Sequence, residues 1–339
     1  MSDDTSPHQP TSFDVAQRAG VSQSTVSLVL GGKSTGRVGK PTQDAVLQAA
    51  AELGYQPQSA ARALRLGRSQ AIALVVPDVS NPYFASVLQG TEQAARALGY
   101  SVVLVSMYKH PDWSRLIAEA LAARTVDGVL FYTLGPPATL NREHLSQRAV
   151  MVDGITEGMP TLQLDIASGA YATMTHLLNL GHTNIAHLAA GLDVETFQVR
   201  QRAYLRALTS AGVSINTDYQ VRAQFTIEDA QAKATRLLDL PQPPSAIFCD
   251  SDLLAIGVYK AAKARGLSIP HDLSVTGFDD SIIARILEPE LTTVAIPTVT
   301  LGEQAIALLL ALLQGEQLVA QPAIPLQLAI RNSTAAPGK

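Results

Sequence analysis

A single cysteine, Cys249, stands in 339 residues. That excludes an internal disulfide and a cysteine-based zinc cluster and suits a reducing cytoplasm. Long apolar runs are also missing. The longest, 305–313, is nine residues, against the roughly 20 that a membrane helix needs; it reads as a helix buried inside a domain. The N-terminus has neither the positive start nor the apolar core of a secretion signal. No Gly-x-Gly-x-x-Gly, Walker loop or Gly-x-Ser-x-Gly elbow is present, so no dinucleotide cofactor is expected and enzyme chemistry is poorly supported. His176, His182 and His187 fall at intervals of six and five, which is not metal-ligand spacing. Cys249 ends an apolar run and reads as buried and inert.

Charge is sparse, at 16% against 47% apolar residues. Large cores are therefore expected, with disorder confined to residues 1–10 and the last few positions. The length suits two or three domains. The net charge of −4 is unevenly spread: residues 11–68 hold seven Lys/Arg against three acids, a net +4 on a remainder of −8. A basic segment on an acidic body points to a polyanion partner for that segment alone.

Within residues 11–56, Thr11 and Asp14 have capping-box spacing, and Val15, Ala16 and Ala19 form an apolar stripe ended by Gly20. Ser22 is placed to cap a second helix over 23–30, in which Val26, Val29 and Leu30 face the first. Two short helices joined by a glycine turn make a helix-turn-helix. Gln23, Ser24, Ser27 and Leu28 lie off the packed stripe, where polar side chains at a helix N-terminus can meet base edges and phosphates. A third helix follows Gly39, with Pro41 in its first turn and Gly54 as its stop. Residues 58–64 (QSAARAL) are good helix formers in a stretch too short to be stable alone.

These residues resemble the DNA-binding headpiece of the LacI/GalR family of bacterial regulators, through Asp14-Val15-Ala16, Ala19-Gly20-Val21-Ser22, Thr25-Val26-Ser27, Val29-Leu30, Leu53-Gly54-Tyr55, Pro57 and Ala61-Arg62-Ala63-Leu64. The resemblance implies that Gln23, Ser24 and Leu28 read bases in the major groove, with Ser22, Thr25 and Ser27 also in contact with DNA. It also implies a hinge helix in a 57–68 linker, in which Ser59 and Arg62 touch DNA and Leu64 wedges into the minor groove. Leu28 departs from the polar residue common in the family. It can touch a thymine methyl but cannot pair with guanine, so no family operator sequence is carried over. Gly39 stands where the family has a Ser cap.

From Ala71 onward, short apolar runs alternate with helical segments. Strands are expected at 71–76, 101–106, 128–132, 149–152, 161–164, 184–189, 219–224, 246–249 and 273–277, and helices at 83–98, 112–124, 139–147, 168–180, 197–211, 228–239, 252–265 and 298–313. That pattern means parallel sheets covered on both faces, in two similar lobes. The family resemblance continues through Val76-Pro77-Asp78, Asn81-Pro82-Tyr83-Phe84, Val126-Asp127-Gly128, Leu180-Gly181-His182, Ser251-Asp252, Gly277-Phe278-Asp279-Asp280 and Leu291-Thr292-Thr293-Val294. It implies a periplasmic-binding-protein-like α/β core of two Rossmann-like subdomains over 69–334, with crossovers near 165, 293 and 325. Lobe one would hold 69–165 and 294–324, and lobe two 166–293 and 325–334.

The resemblance also implies an effector in the cleft, a sugar or related metabolite, contacted by Tyr83, Phe84, Arg200, Phe225 and Asp279; Asp153, in an expected cleft loop, is a weaker candidate contact. Aromatic faces suit apolar ring faces, while Arg and Asp suit hydroxyls and carboxylates. Each has a plainer reading: Phe84 and Phe225 as core, Arg200 with Arg202 and Arg206 as a solvated helix face, and Asp279 as a turn cap beside Asp280. Glu195 and Trp113 are weaker candidates, His182 reads as a turn residue and Asp252 as a helix cap. Ile166 replaces an Asn frequent in the family, which leaves a polar hinge contact, and the effector class, open. The whole implies a homodimeric, effector-controlled repressor on palindromic double-stranded DNA, cytoplasmic and nucleoid-associated, with no membrane partner. The rivals are a solute-binding receptor and a small-molecule enzyme on the same two lobes.

Overall fold

The computed structural model describes residues 10–32, 34–55, 68–108, 112–132, 145–154, 156 and 158–338. The expected hinge helix with Ser59, Arg62 and Leu64, and most of the expected helix 139–147, lie outside the described residues. The chain divides into two compact units at Ser69/Gln70.

The first unit is three helices: α1 (Ser12–Ala19), α2 (Gln23–Leu30) and α3 (Lys40–Leu53). The capping box at Thr11 forms in both directions, with Thr11 N–H donating to Asp14 at 2.7 Å and Asp14 N–H donating back at 3.4 Å. Gly20 takes a left-handed φ of 64° to stop α1, which only glycine does without strain. Ser22 caps α2 by accepting from Thr25 N–H at 3.2 Å. Gly39 offers no side-chain cap to α3. The small core of Val15, Ala16, Val26, Val29, Val46, Ala49 and Ala50 joins all three helices, and Arg18 of α1 pairs with Glu52 of α3 at 2.7 Å.

The second unit holds two sheets. Five strands, β1 (Ala71–Val76), β2 (Ser101–Ser106), β3 (Gly128–Tyr132), β4 (Ala149–Val152) and β5 (Thr161–Leu162), lie in the order 2-1-3-4-5, all parallel. Six more, β6 (Ile185–Ala190), β7 (Gln220–Ala223), β8 (Ala246–Cys249), β9 (Ser274–Asp279), β10 (Thr292–Ala295) and β11 (Gln327–Ala329), lie in the order 11-10-9-8-6-7, with only β11 antiparallel. The continuous apolar runs AIALVV and AIFC are wholly buried, as strands covered on both faces must be. Helices α4 (Pro82–Ala97) and α5 (Trp113–Ala122) serve the first sheet, and α6 (Ile166–Asn179), α7 (Glu195–Ser210), α8 (Ile227–Leu238), α9 (Asp252–Ala264) and α10 (Ile282–Ile286) the second. The long helix α11 (Thr298–Leu313) returns to the first sheet and crosses α4 so closely that a Cβ on Gly302 would stand 2.4 Å from the Thr91 nitrogen.

Three passages join the lobes. Asp165 N–H donates to Ile324 at 2.8 Å and Ile324 N–H donates to Gln163 at 2.8 Å, so two of the passages are zipped together. The middle one lies beyond the expected 293. β10 pairs with β9 through Ala295, which moves residues 294 and 295 from the first lobe to the second. β10 and β11 escape a search for apolar runs because one is threonine-rich and the other is three residues long. The expected strand 161–164 stops at Leu162, and Leu164 makes an isolated bridge to Ile324.

Candidate functional site

On α2, Val26 and Val29 are buried, while Ser22, Gln23 and Ser24 are exposed and Thr25, Ser27 and Leu28 half-buried. The helix therefore turns its N-terminal polar face outward, as its spacing predicts. No acid stands in its first turn, so its N-terminal N–H groups and dipole favour an anion such as phosphate. The hydroxyl of the capping Ser22 also bonds those of Ser24 at 2.7 Å and Thr25 at 2.9 Å, which orients both side chains.

In the second unit, a cleft opens at the carboxyl ends of the parallel strands, where open α/β sheets bind ligands. All six residues proposed from sequence line it: Tyr83, Phe84, Asp153, Arg200, Phe225 and Asp279. Tyr83 and Phe84 stand in the first turn of α4, capped by Asn81, whose side chain accepts from Tyr83 N–H at 3.1 Å. Asp153 directly follows β4, Phe225 follows β7, and Asp279 ends β9. The first three come from one lobe and the others from the second.

Arg200 is not on a solvated face. It is 3% exposed, its guanidinium lies 3.7 Å over the Phe278 ring and 5.0 Å over Phe197, and Nη1 donates to the Asp250 carbonyl. A cation over ring faces in a dry site is well stabilised. Asp279 accepts from the Ser251 hydroxyl at 2.8 Å. Burial pushes the Asp279 carboxyl well up, with Asp252 adding to the effect and Arg200 opposing it. Burial likewise raises Asp153 to about 6. The Arg200 charge offsets part of that rise, as does the nearby Thr196 hydroxyl, which makes no hydrogen bond of normal geometry among the described residues. Asp153 (φ 52°), Asp279 (φ 121°) and Asp280 (φ 53°) all have positive φ. Strain of this kind gathers at ligand sites.

Several buried polar atoms aimed at this region have no protein partner among the described residues: Tyr83 Oη, Thr196 Oγ1 and Arg200 Nε. Sequence reasoning missed Thr196, Phe197, Ser251 and Ile296, which also line the cleft. Helical spacing could have found the first two, since 196, 197 and 200 share one face of α7. Of the weaker candidates, Asp153 lines the cleft and the other two fall elsewhere. Glu195 pairs with Arg202 at 2.5 Å on the surface, and Trp113 packs edge-on to Phe131 in the core of the first lobe. Asp252 is not the cap of α9. Ser251 is, and the buried Asp252 carboxylate accepts instead from Thr293 at 2.6 Å and from Ser281 N–H at 2.8 Å. His182 bonds Ser245 and Ser274, and burial pushes the Cys249 thiol well up, as fits an inert side chain. Among the described residues, no helix is long and apolar enough to cross a membrane and no cluster suits a metal ion.

Comparison with known proteins bears on both units. Residues 13–58 match the model for bacterial regulatory proteins of the lacI family, and residues 174–334 match a periplasmic binding protein-like domain. The HTH-type transcriptional repressor CytR of Escherichia coli K12 is 32% identical over 331 residues, covering 96% of each chain. The lac repressor dimer bound to operator and the anti-inducer ONPF superposes with a TM-score of 0.83 at 25% identity, over 97% of this chain and 100% of that one. A transcriptional regulator CelR–cellobiose complex superposes at 0.70 with 28% identity, over 96% and 99%. The chain belongs to the LacI family and is a DNA-binding transcriptional repressor rather than an enzyme.

Proposed function

We propose that the chain is an effector-controlled repressor that works as a homodimer on a palindromic operator in the cytoplasm, at the nucleoid. The effector is a small polar molecule, a sugar or related metabolite, held by Tyr83, Phe84, Asp153, Arg200, Phe225 and Asp279. The observation that carries this reading is their convergence: six side chains from five separate stretches of sequence, drawn from both lobes, line one cleft. Ring faces cover apolar faces of the ligand, Asp153 and Asp279 accept its hydroxyl protons, and Arg200 donates. The lac repressor and CelR likenesses, one with operator and one with cellobiose, support both halves of the proposal.

The DNA contacts are assigned to Ser22, Gln23, Ser24, Thr25, Ser27 and Leu28 in the major groove, and to Ser59, Arg62 and Leu64 at the hinge. A ligand that touches both lobes binds one lobe angle better than another. That differential affinity is what shifts a two-state equilibrium, here by a coupling of about 1–3 kcal/mol. The test is footprinting of the full chain on its own upstream DNA, with calorimetric titration of a panel of sugars and related metabolites. The expected result is a protected palindrome whose occupancy changes with one member of the panel. Absence of any sequence-specific protection at moderate salt overturns the repressor reading, and binding of a ligand that Arg200→Ala leaves untouched overturns the cleft assignment.

A further inference from the structure

Behind the cleft wall, in the second lobe, lies a buried pair that the assignments above do not use. His187, on β6, is 1% exposed and Asp250, one residue past β8, is fully buried. His187 Nε2–H donates to Asp250 Oδ1 at 2.8 Å, and Ala190 N–H donates to Oδ2 at 2.8 Å. The two strands pair in register up to Leu188 and Cys249, and Asp250 N–H still donates to the Leu188 carbonyl at 3.1 Å. Past that point the carboxylate replaces the ladder and takes the Ala190 N–H that a carbonyl would otherwise accept. This fixes the Asp250 peptide, and the carbonyl of that residue is the acceptor for Arg200 Nη1. His187 also touches the helix that carries Arg200. Its ring stacks on Tyr204 at 5.1 Å and on Phe248 at 5.1 Å. Tyr204 is one turn beyond Arg200 on the same face of α7 and is itself tied to β6 by its hydroxyl, which donates to the Ile185 carbonyl at 2.9 Å.

We propose that His187 and Asp250 are positioning residues that hold the Arg200 guanidinium in the cleft. They act on ligand affinity without touching the ligand. The proposal rests on Arg200 as an effector contact for its consequence, but not for its geometry. Two observations carry it. Asp250 keeps its side chain on His187 and its carbonyl on Arg200, so a change at one end moves the other. His187 Nδ1 has no partner among the described residues, so the imidazole is stabilised by what it gives Asp250 and by its two flanking rings. Without the His187 donor, a fully buried carboxylate keeps one backbone N–H and must turn to find another.

The test is arginine modification by phenylglyoxal on the full chain, with rates read peptide by peptide in a mass spectrometer. Arg200 should be protected in the parent protein. His187→Phe keeps the ring between Tyr204 and Phe248 but removes the donor, and it should raise the Arg200 rate about tenfold. His187→Gln, whose amide can donate to Asp250, should restore protection. Arg331 is the control: it is held by Asp280 at 2.6 Å in the same lobe, and general loosening would expose it together with Arg200. Should His187→Phe not yield folded protein, Asp250→Asn carries the same comparison, because the two donors point at different oxygens and Asn places an NH2 donor against one of them. Equal Arg200 rates in parent and variants, or parallel rises at Arg200 and Arg331, overturn the pair. An unchanged ligand titration in Arg200→Ala overturns the effector role of Arg200 and leaves the pair standing.

Discussion

Replacing Asp153 by Asn should make the protein more stable at neutral pH and less able to bind its effector. Asp153 is 8% exposed, and its carboxyl is raised from 3.8 to about 6, chiefly by burial. At about 1.4 kcal/mol for each tenfold change in proton affinity, that rise is worth roughly 3 kcal/mol. The sign follows from where the proton is held. Below 3.8 the group is protonated in both folded and unfolded chains and contributes no difference. Between 3.8 and 6 the folded protein keeps a proton that the unfolded chain has released, so stability falls as pH rises through this window and stays level above it. Asn carries no such titration. It also tolerates the left-handed φ of 52° better than other residues apart from Asp and Gly. The gap between variant and parent should therefore widen by about 3 kcal/mol in the variant's favour from pH 4 to pH 7.5. Melting curves of both proteins across that range measure it, and for a body of this size the gain corresponds to roughly 6–10 °C. Comparing the two proteins at each pH cancels the other carboxylates and the intrinsic effect of the amide. A variant–parent gap that is the same at pH 4 and pH 7.5 would refute the account of Asp153 as a carboxylate held against its own desolvation. Effector affinity should fall in the same variant, the usual exchange of stability for function at a binding site.

Other substitutions probe other parts of the molecule. Gly302→Ala pushes a methyl into the backbone of α4, 2.4 Å from the Thr91 nitrogen and 2.5 Å from the Gly90 carbonyl carbon. It should cost about 1–3 kcal/mol, and an unchanged urea midpoint would show that the two helices can simply move apart. Gln23→Ala should lower specific DNA binding by about 1–3 kcal/mol and relax the preference at one base pair, as competition with single-base operator variants would reveal. Equal losses on operator and on random DNA would remove Gln23 from base reading. Leu64→Ala should weaken specific binding far more than nonspecific binding, and a uniform loss in filter binding at several salt concentrations would rule out a wedge.

What the sequence discloses and what it conceals follow from the range of the interactions. The strands AIALVV and AIFC are legible because a doubly covered strand must be apolar throughout, and the caps at Thr11 and Ser22 are legible because a cap is decided within four residues. Most of the cleft residues were reachable by carrying the family resemblance over position by position, and ligands in such folds sit past strand ends, where Asp153 and Asp279 stand. Contacts between distant segments were not reachable. Ser251 rather than Asp252 caps α9 because Thr293 and Ser281, each about 30 to 40 residues away, claim the Asp252 carboxylate. The partner of His187 is 63 positions along the chain. Glu195 sits one residue before Thr196 of the cleft, yet it turns outward to Arg202, since the first turn of a helix presents successive residues to different faces.

On the proposed effector-controlled reading, the electrostatics of the cleft supply a reason for the two lobes to respond to a ligand. Asp153 belongs to the first lobe, Asp279 and Arg200 to the second, and burial raises both carboxyls while the single guanidinium lowers them. Bringing the lobes together moves the Asp153 carboxylate toward the Arg200 cation and the Asp279 carboxyl, and takes all three away from water. With nothing between them, the like charges and the lost hydration oppose that approach. A ligand whose hydroxyls donate to both carboxylates replaces the lost water and removes the opposition, but only if its donors reach both lobes at once. A ligand satisfied by one lobe binds every lobe angle equally and shifts nothing. Effector action should therefore depend on the span between a molecule's donors more than on its affinity. Analogues lacking the donor to one carboxylate should still occupy the cleft and leave DNA occupancy unchanged. An analogue that cannot reach Asp153 yet changes DNA occupancy as fully as the parent ligand would show that the signal leaves the cleft by another route.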